Sequence, residues 1–121
     1  MILAAVDDLL FSSKIRTTAK QAGVELIFAR TPPDILEQAR AHHPSLVIFD
    51  LNSGKANPVD TISTMKRDPD LSSIRTLGFV SHVHTDLIDA ARAAGVDDVM
   101  ARSAFAAGLA EILMAASPAK P

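Results

Sequence analysis

Five polar side chains in this sequence stand where apolar runs give out, and their types could do chemistry together. Ile2 to Val6 stops at Asp7 and Asp8, Leu46 to Phe49 at Asp50, and Thr76 to Val80 at Ser81. Val96 to Met100 leads into Arg102. Three carboxylates on one rim repel one another unless a cation joins them. Oxygen-rich sets of this kind suit Mg²⁺, which takes one or two carboxylates together with phosphate oxygens. A carboxylate can also be a nucleophile toward a phosphoryl group. A metal and a guanidinium would then neutralise charge on the transferring oxygens. Blander readings stand beside these. Asp7-Asp8 also suits a turn and a helix cap, and Asp50 a capped loop. Ser81 suits an N-cap, and Arg102 a surface arginine.

Shared chemistry requires elements that bring these ends together. The apolar runs read as five short strands: 2–6, 24–28, 46–50, 76–80 and 96–100. Between them lie helical patterns. Phe11, Ile15 and Ala19 recur at four-residue spacing, with Ser12 or Ser13 to cap the start and Gly23 to stop the helix. Thr31 and Pro32 open a second helix carrying Ile35, Leu36 and Ala39, which His42-His43-Pro44 ends. Further helices are predicted over 58–67, 85–94 and 103–116, the last with Phe105, Leu109, Ile112 and Leu113 on one stripe. Strict alternation predicts an α/β fold with a parallel sheet covered on both faces. Its crossovers are right-handed, and ligands in such sheets bind beyond the carboxyl ends of the strands.

Composition narrows the function. The chain has 121 residues, room for one ordinary domain. It is 48% apolar and 21% charged, with a formal net charge of −2, which demotes a nucleic-acid binder. It has no cysteine, so disulfides, cysteine-ligated zinc and thiol catalysis are excluded within it, and a cytoplasmic location fits. The apolar runs fall far short of the ~20 residues of a membrane helix. No glycine-rich phosphate loop follows the first strand, and no G-x-S-x-G elbow is present. The pairs His42-His43 and His82-x-His84 lack the spacing of a zinc motif and read as solvated loop residues.

The motifs Ala5-Val6-Asp7-Asp8, Ile48-Phe49-Asp50-Leu51-Asn52, Phe79-Val80-Ser81 and Ala94-Gly95 come in one order on the expected elements. With them the chain resembles, over essentially its whole length, the receiver domain of two-component response regulators (CheY-like). The resemblance implies a flavodoxin-like (βα)5 sheet of strand order 2-1-3-4-5. It implies Asp50 as phosphoacceptor, Mg²⁺ as cofactor, Asp8 as a direct metal ligand and Asp7 as holder of a metal water. The backbone carbonyl of Asn52 would be a further metal ligand, and Ser81 fills the hydroxyl position that moves toward the phosphoryl group. Three positions depart from the pattern. Arg102-Ser103 stands where receivers have lysine and proline, Val99 where an aromatic switch is usual, and Ser53-Gly54 where methionine-proline is usual. Arginine keeps the charge but presents a larger planar fork.

The expectation is therefore a receiver-like domain over 1–117 with a tail or linker stub at 118–121. It would catalyse its own phosphorylation at most. Its partners would be a histidine kinase or phosphotransfer protein and a downstream protein, with no direct nucleic-acid or membrane partner. The expected working surface is the fourth helix, the fifth strand and the last helix. The alternative is a pseudo-receiver, a phosphorylation-independent interaction module, which the missing lysine and aromatic favour. A small Mg²⁺-dependent phosphatase is a distant third, because the chain is short for a substrate-binding cap.

Overall fold

The computed structural model describes residues 1–81 and 85–116. The sequence readings of His82 and His84, and of a tail at 118–121, lie outside the described residues. Five strands form one parallel sheet in the order β2-β1-β3-β4-β5. They are β1 (Ile2–Ala5), β2 (Leu26–Phe28), β3 (Leu46–Asp50), β4 (Arg75–Val80) and β5 (Asp98–Ala101). The helices are α1 (Leu9–Ala22), α2 (Pro32–His42), α3 (Pro58–Arg67), α4 (Thr85–Ala94), α5 (Arg102–Ala107) and α6 (Leu109–Ala116). Both the sheet class and the strand order are those expected.

Side chains alternate across a strand, so each inner strand feeds two cores. Leu3, Ala5, Val47 and Phe49 pack with Ile35, Ala39, Ile62, Met65 and Ala91, from α2, α3 and α4. Ile2, Ala4, Ile48, Leu77 and Phe79 pack with Phe11, Ile15 and Ala19 from α1 and with Phe105, Leu109 and Leu113 from α5 and α6. Every residue of β1 and β3 is buried. That is why those segments carry unbroken apolar runs rather than alternation.

The ends of elements differ from the sequence reading, each for a local reason. Asp8, not Ser12 or Ser13, caps α1, its Oδ1 accepting from the Phe11 N–H at 3.0 Å. Ser12 lies inside the helix and donates to the Val6 carbonyl. Gly23 ends α1 at φ +71°, a conformation that favours glycine. The Val24 N–H then completes the helix end on the Ala19 carbonyl, so the second ladder begins only at Leu26. The Val96 N–H likewise turns back to the Ala91 carbonyl. The Asp97 carboxylate takes the Thr76 N–H at 2.8 Å, and β5 starts at Asp98 instead of Val96. The last helix is two segments, broken at Gly108, and it begins at Arg102.

Because all five strands are parallel, their carboxyl ends share one rim. The strand order reverses between β1 and β3: α1 covers one face of the sheet and α3 the other. The crevice of such a fold opens at that reversal. Asp7 and Asp8 leave β1 there, and Asp50 ends β3 beside them.

Candidate functional site at the carboxyl rim

Asp50 is the buried member of the rim, 7% exposed although it carries a carboxylate. Its Oδ1 accepts from the Asn52 N–H at 3.0 Å. Burial pushes its pKa above the ordinary 3.8, the Asn52 N–H and the Arg102 charge oppose that, and the charges of Asp7 and Asp8 add to it. The three aspartates therefore feel one another, as their order along the sequence required. The loop after Asp50 is closed from below by Ser53, itself buried, whose hydroxyl donates to Asp7 Oδ2 at 3.1 Å and accepts from the Ala56 N–H.

Asp8 has two tasks. Oδ1 caps α1, and Oδ2 accepts from Arg102 Nη2 at 3.1 Å. The Phe11 N–H first, and then the Arg102 guanidinium, hold its carboxyl below the usual range. The capping reading of Asp8 is realised, and its second oxygen lies on the rim beside Arg102. Arg102 is the first residue of α5, and its guanidinium lies 4.5 Å over the Phe11 ring, a favourable cation–π geometry. Phe11 belongs to an aromatic trio with Phe79 and Phe105, which stack on each other at 4.8 Å. The core thus fixes where the rim cation sits.

On the other side of Asp50, the Asn52 side chain faces β4. Its Oδ1 accepts from the Ser81 N–H at 2.8 Å and from the Ser81 hydroxyl at 3.1 Å. Ser81 is therefore latched to the loop after Asp50 through Asn52. A groove of about 410 Å³ opens between α4 and β5. Val99 lines it with Val80, Ile88, Arg92 and Arg102.

The structure brings every sequence-predicted site residue to this rim. It adds two that sequence reasoning passed over. In the sequence Ser53 stands only as a departure from a motif, and Phe11 only as a core position. Nothing in the sequence marks Ser53 as a partner of Asp7, 46 positions away. The four-residue spacing of Phe11, Ile15 and Ala19 did mark Phe11 as inward-facing.

For a divalent cation the donor set is of the right chemistry: hard carboxylate oxygens around a crevice. Among the described residues, no three His, Asp or Glu side chains already converge on one point. One carboxylate of the set, Asp8, is held by a guanidinium, a cation in the place a metal would want.

No protein-family model matches the sequence, and no curated protein matches it. Solved structures do. A response regulator from Hahella chejuensis superposes with a TM-score of 0.83 at 19% identity, covering 95% of this chain and 92% of that one. The chain has the receiver fold. The phosphorylated cyanobacterial phytochrome response regulator RcpA matches with a TM-score of 0.74 at 21% identity, over 94% of this chain and 88% of its own. The Mn²⁺-bound form of the response regulator Rcp1 matches at 0.72 and 20% identity, over 94% and 88%. At these identities the likeness is one of fold.

Proposed function

We propose that this receiver-fold domain accepts a phosphoryl group on Asp50 with Mg²⁺ and signals through protein contacts in a two-component pathway. The observation that carries the reading is a buried aspartate at the end of β3, flanked by two further acids from β1 and by one guanidinium. Burial makes this carboxylate more basic than an exposed one, and so a stronger nucleophile. Oδ1 is occupied by the Asn52 N–H, which leaves Oδ2 to attack phosphorus. The bond from phosphorus to the donor atom breaks, and its electron pair leaves with the donor, an imidazole nitrogen or an acyl oxygen. Asp7, Asp8, Asp50 and the Asn52 carbonyl are the groups that would hold Mg²⁺. When bound, the ion supplies positive charge to the phosphoryl oxygens.

The contacts around Ser81 give the change at Asp50 a way out. A phosphoryl group that draws the Ser81 hydroxyl must take it from Asn52, at the end of β4. The partners that fit are a kinase or phosphotransfer protein upstream and a protein downstream, met in the cytoplasm. A second reading, a constitutive interaction module, is favoured by Val99 and by the Arg102–Asp8 pair, which balances part of the acidic charge without a metal.

Intact mass after incubation with acetyl phosphate and Mg²⁺ separates the two. The expected result is one added phosphoryl group in the parent and none in Asp50→Asn. A folded parent that takes up no phosphoryl group at saturating Mg²⁺ would leave the constitutive module.

A further inference from the structure

We infer that Arg102 is a built-in counter-cation of the acidic rim, and that a divalent ion reaches Asp8 only by displacing it. The inference rests on the functional reading above for the presence of a cation site, and goes beyond it in assigning the competitor.

Asp8 has two carboxylate oxygens. Oδ1 is committed to the cap of α1, where it accepts from the Phe11 N–H. Oδ2 is the oxygen that the cap leaves free, and it is the one that Arg102 holds at 3.1 Å. A guanidinium and a dication on one oxygen would lie within a few ångströms of each other, and like charges that close repel strongly where water is partly excluded. The two cations therefore exclude one another at this atom.

Arg102 does not sit there by chance contact. It starts α5, so its Cα is fixed by the helix, and Phe105 one turn on is fully buried. Its guanidinium rests on the Phe11 ring, which the stacked Phe79 and Phe105 rings support. A lysine has no planar group to lie on that ring and hold a carboxylate at once, so the arginine is specific to this arrangement. The displaced side chain has somewhere to go: Arg102 also lines the groove between α4 and β5, beside Val99. Cation binding thus moves a side chain from the acidic rim toward the β5 surface.

The test is calorimetric titration with MgCl₂ of the parent, Arg102→Gln and Arg92→Gln. Arg92 shares the groove but has no bond to Asp8, and its loss removes the same formal charge. Arg102→Gln is expected to bind Mg²⁺ about tenfold more tightly than the parent, and Arg92→Gln within about twofold of it. In the parent, saturating Mg²⁺ is expected to shift the Arg102 Nε–Hε resonance. Parent and Arg102→Gln binding equally would overturn the inference and leave phosphoacceptance by Asp50 standing. Equal tightening in the two variants would overturn it too, by reducing Arg102 to a general field effect. Mg²⁺ binding as inferred with no adduct on Asp50 would sink the functional reading alone. Should Arg102→Gln unfold, an unmoved Nε–Hε resonance in Mg²⁺-saturated parent still refutes displacement.

Discussion

At the scale of single residues the rim holds two aspartates shifted in opposite directions. Asp8 is stabilised as a carboxylate by the Phe11 N–H and Arg102, so its contribution to stability is present above the unfolded pKa and fades as pH falls through the lowered one. Asp50 runs the other way. Its pKa is raised by burial, so the folded state binds its proton more tightly than the unfolded chain does. Its stabilising contribution is full below the unfolded pKa and is lost as pH rises through the folded one. Asp50→Asn keeps an acceptor oxygen for the Asn52 N–H and removes the buried charge. The variant is expected to melt a few degrees above the parent at neutral pH. The difference should vanish below the ordinary carboxyl pKa of 3.8. Thermal melts of both proteins across pH check this, and equal melting at neutral pH would contradict it. The instability belongs to the buried Asp50 carboxylate itself.

At the scale of elements, the pole opposite the rim is held by one carboxylate. Asp97 Oδ2 accepts from Lys66 Nζ at 2.9 Å, the Thr76 N–H at 2.8 Å and the Thr76 hydroxyl at 3.1 Å. Burial alone would raise its pKa, but the Lys66 ammonium and the Thr76 N–H outweigh it and hold the group ionised. This cluster joins the end of α3 to the starts of β4 and β5, and Lys66 also reaches the Ser72 and Ile74 carbonyls. Thr76 is completely buried. Asp97→Ala would leave its N–H and hydroxyl without that partner, at a cost of about 1–3 kcal/mol in urea unfolding. Asp97→Asn, which keeps an acceptor, should lose less. Equal losses would mean that the ammonium rather than Thr76 matters. Much of this geometry was legible in the sequence. Helices 58–67 and 85–94 fall where predicted, because Pro58 and Asp68-Pro69-Asp70 bracket the first and Gly95 stops the second. The starts of β2 and β5 were not, because N–H groups there turn back to helix ends rather than into the ladder. The break at Gly108 was also hidden, since the apolar stripe from Phe105 to Leu113 runs across it unbroken.

At the scale of the whole molecule the two cores share one sheet. Neither core exists without β1, β3 and β4, each of which contributes side chains to both. The domain is expected to unfold in a single transition, with the calorimetric enthalpy equal to the van't Hoff enthalpy. A separate low-temperature melting of α5 and α6 would show that the face carrying Arg102 is an independent unit. No helix among the described residues is long and apolar enough to cross a membrane.

By itself the sequence determined the alternation of strand and helix, the parallel sheet and the placing of Asp7, Asp8, Asp50, Ser81 and Arg102 at strand ends. These follow from local periodicity and from the rule that parallel strands end on one side. Only the tertiary structure decided which atoms meet. Asp8 Oδ2 faces Arg102 across 94 positions of chain, Ser53 faces Asp7 across 46, and Ser81 faces Asn52 across 29. Leu51 packs so closely over Gly78 that a Cβ there would stand 2.9 Å from its side chain. Such contacts depend on how neighbouring strands are set against each other, and on which rotamers the two cores leave free. Local pattern carries no information about either.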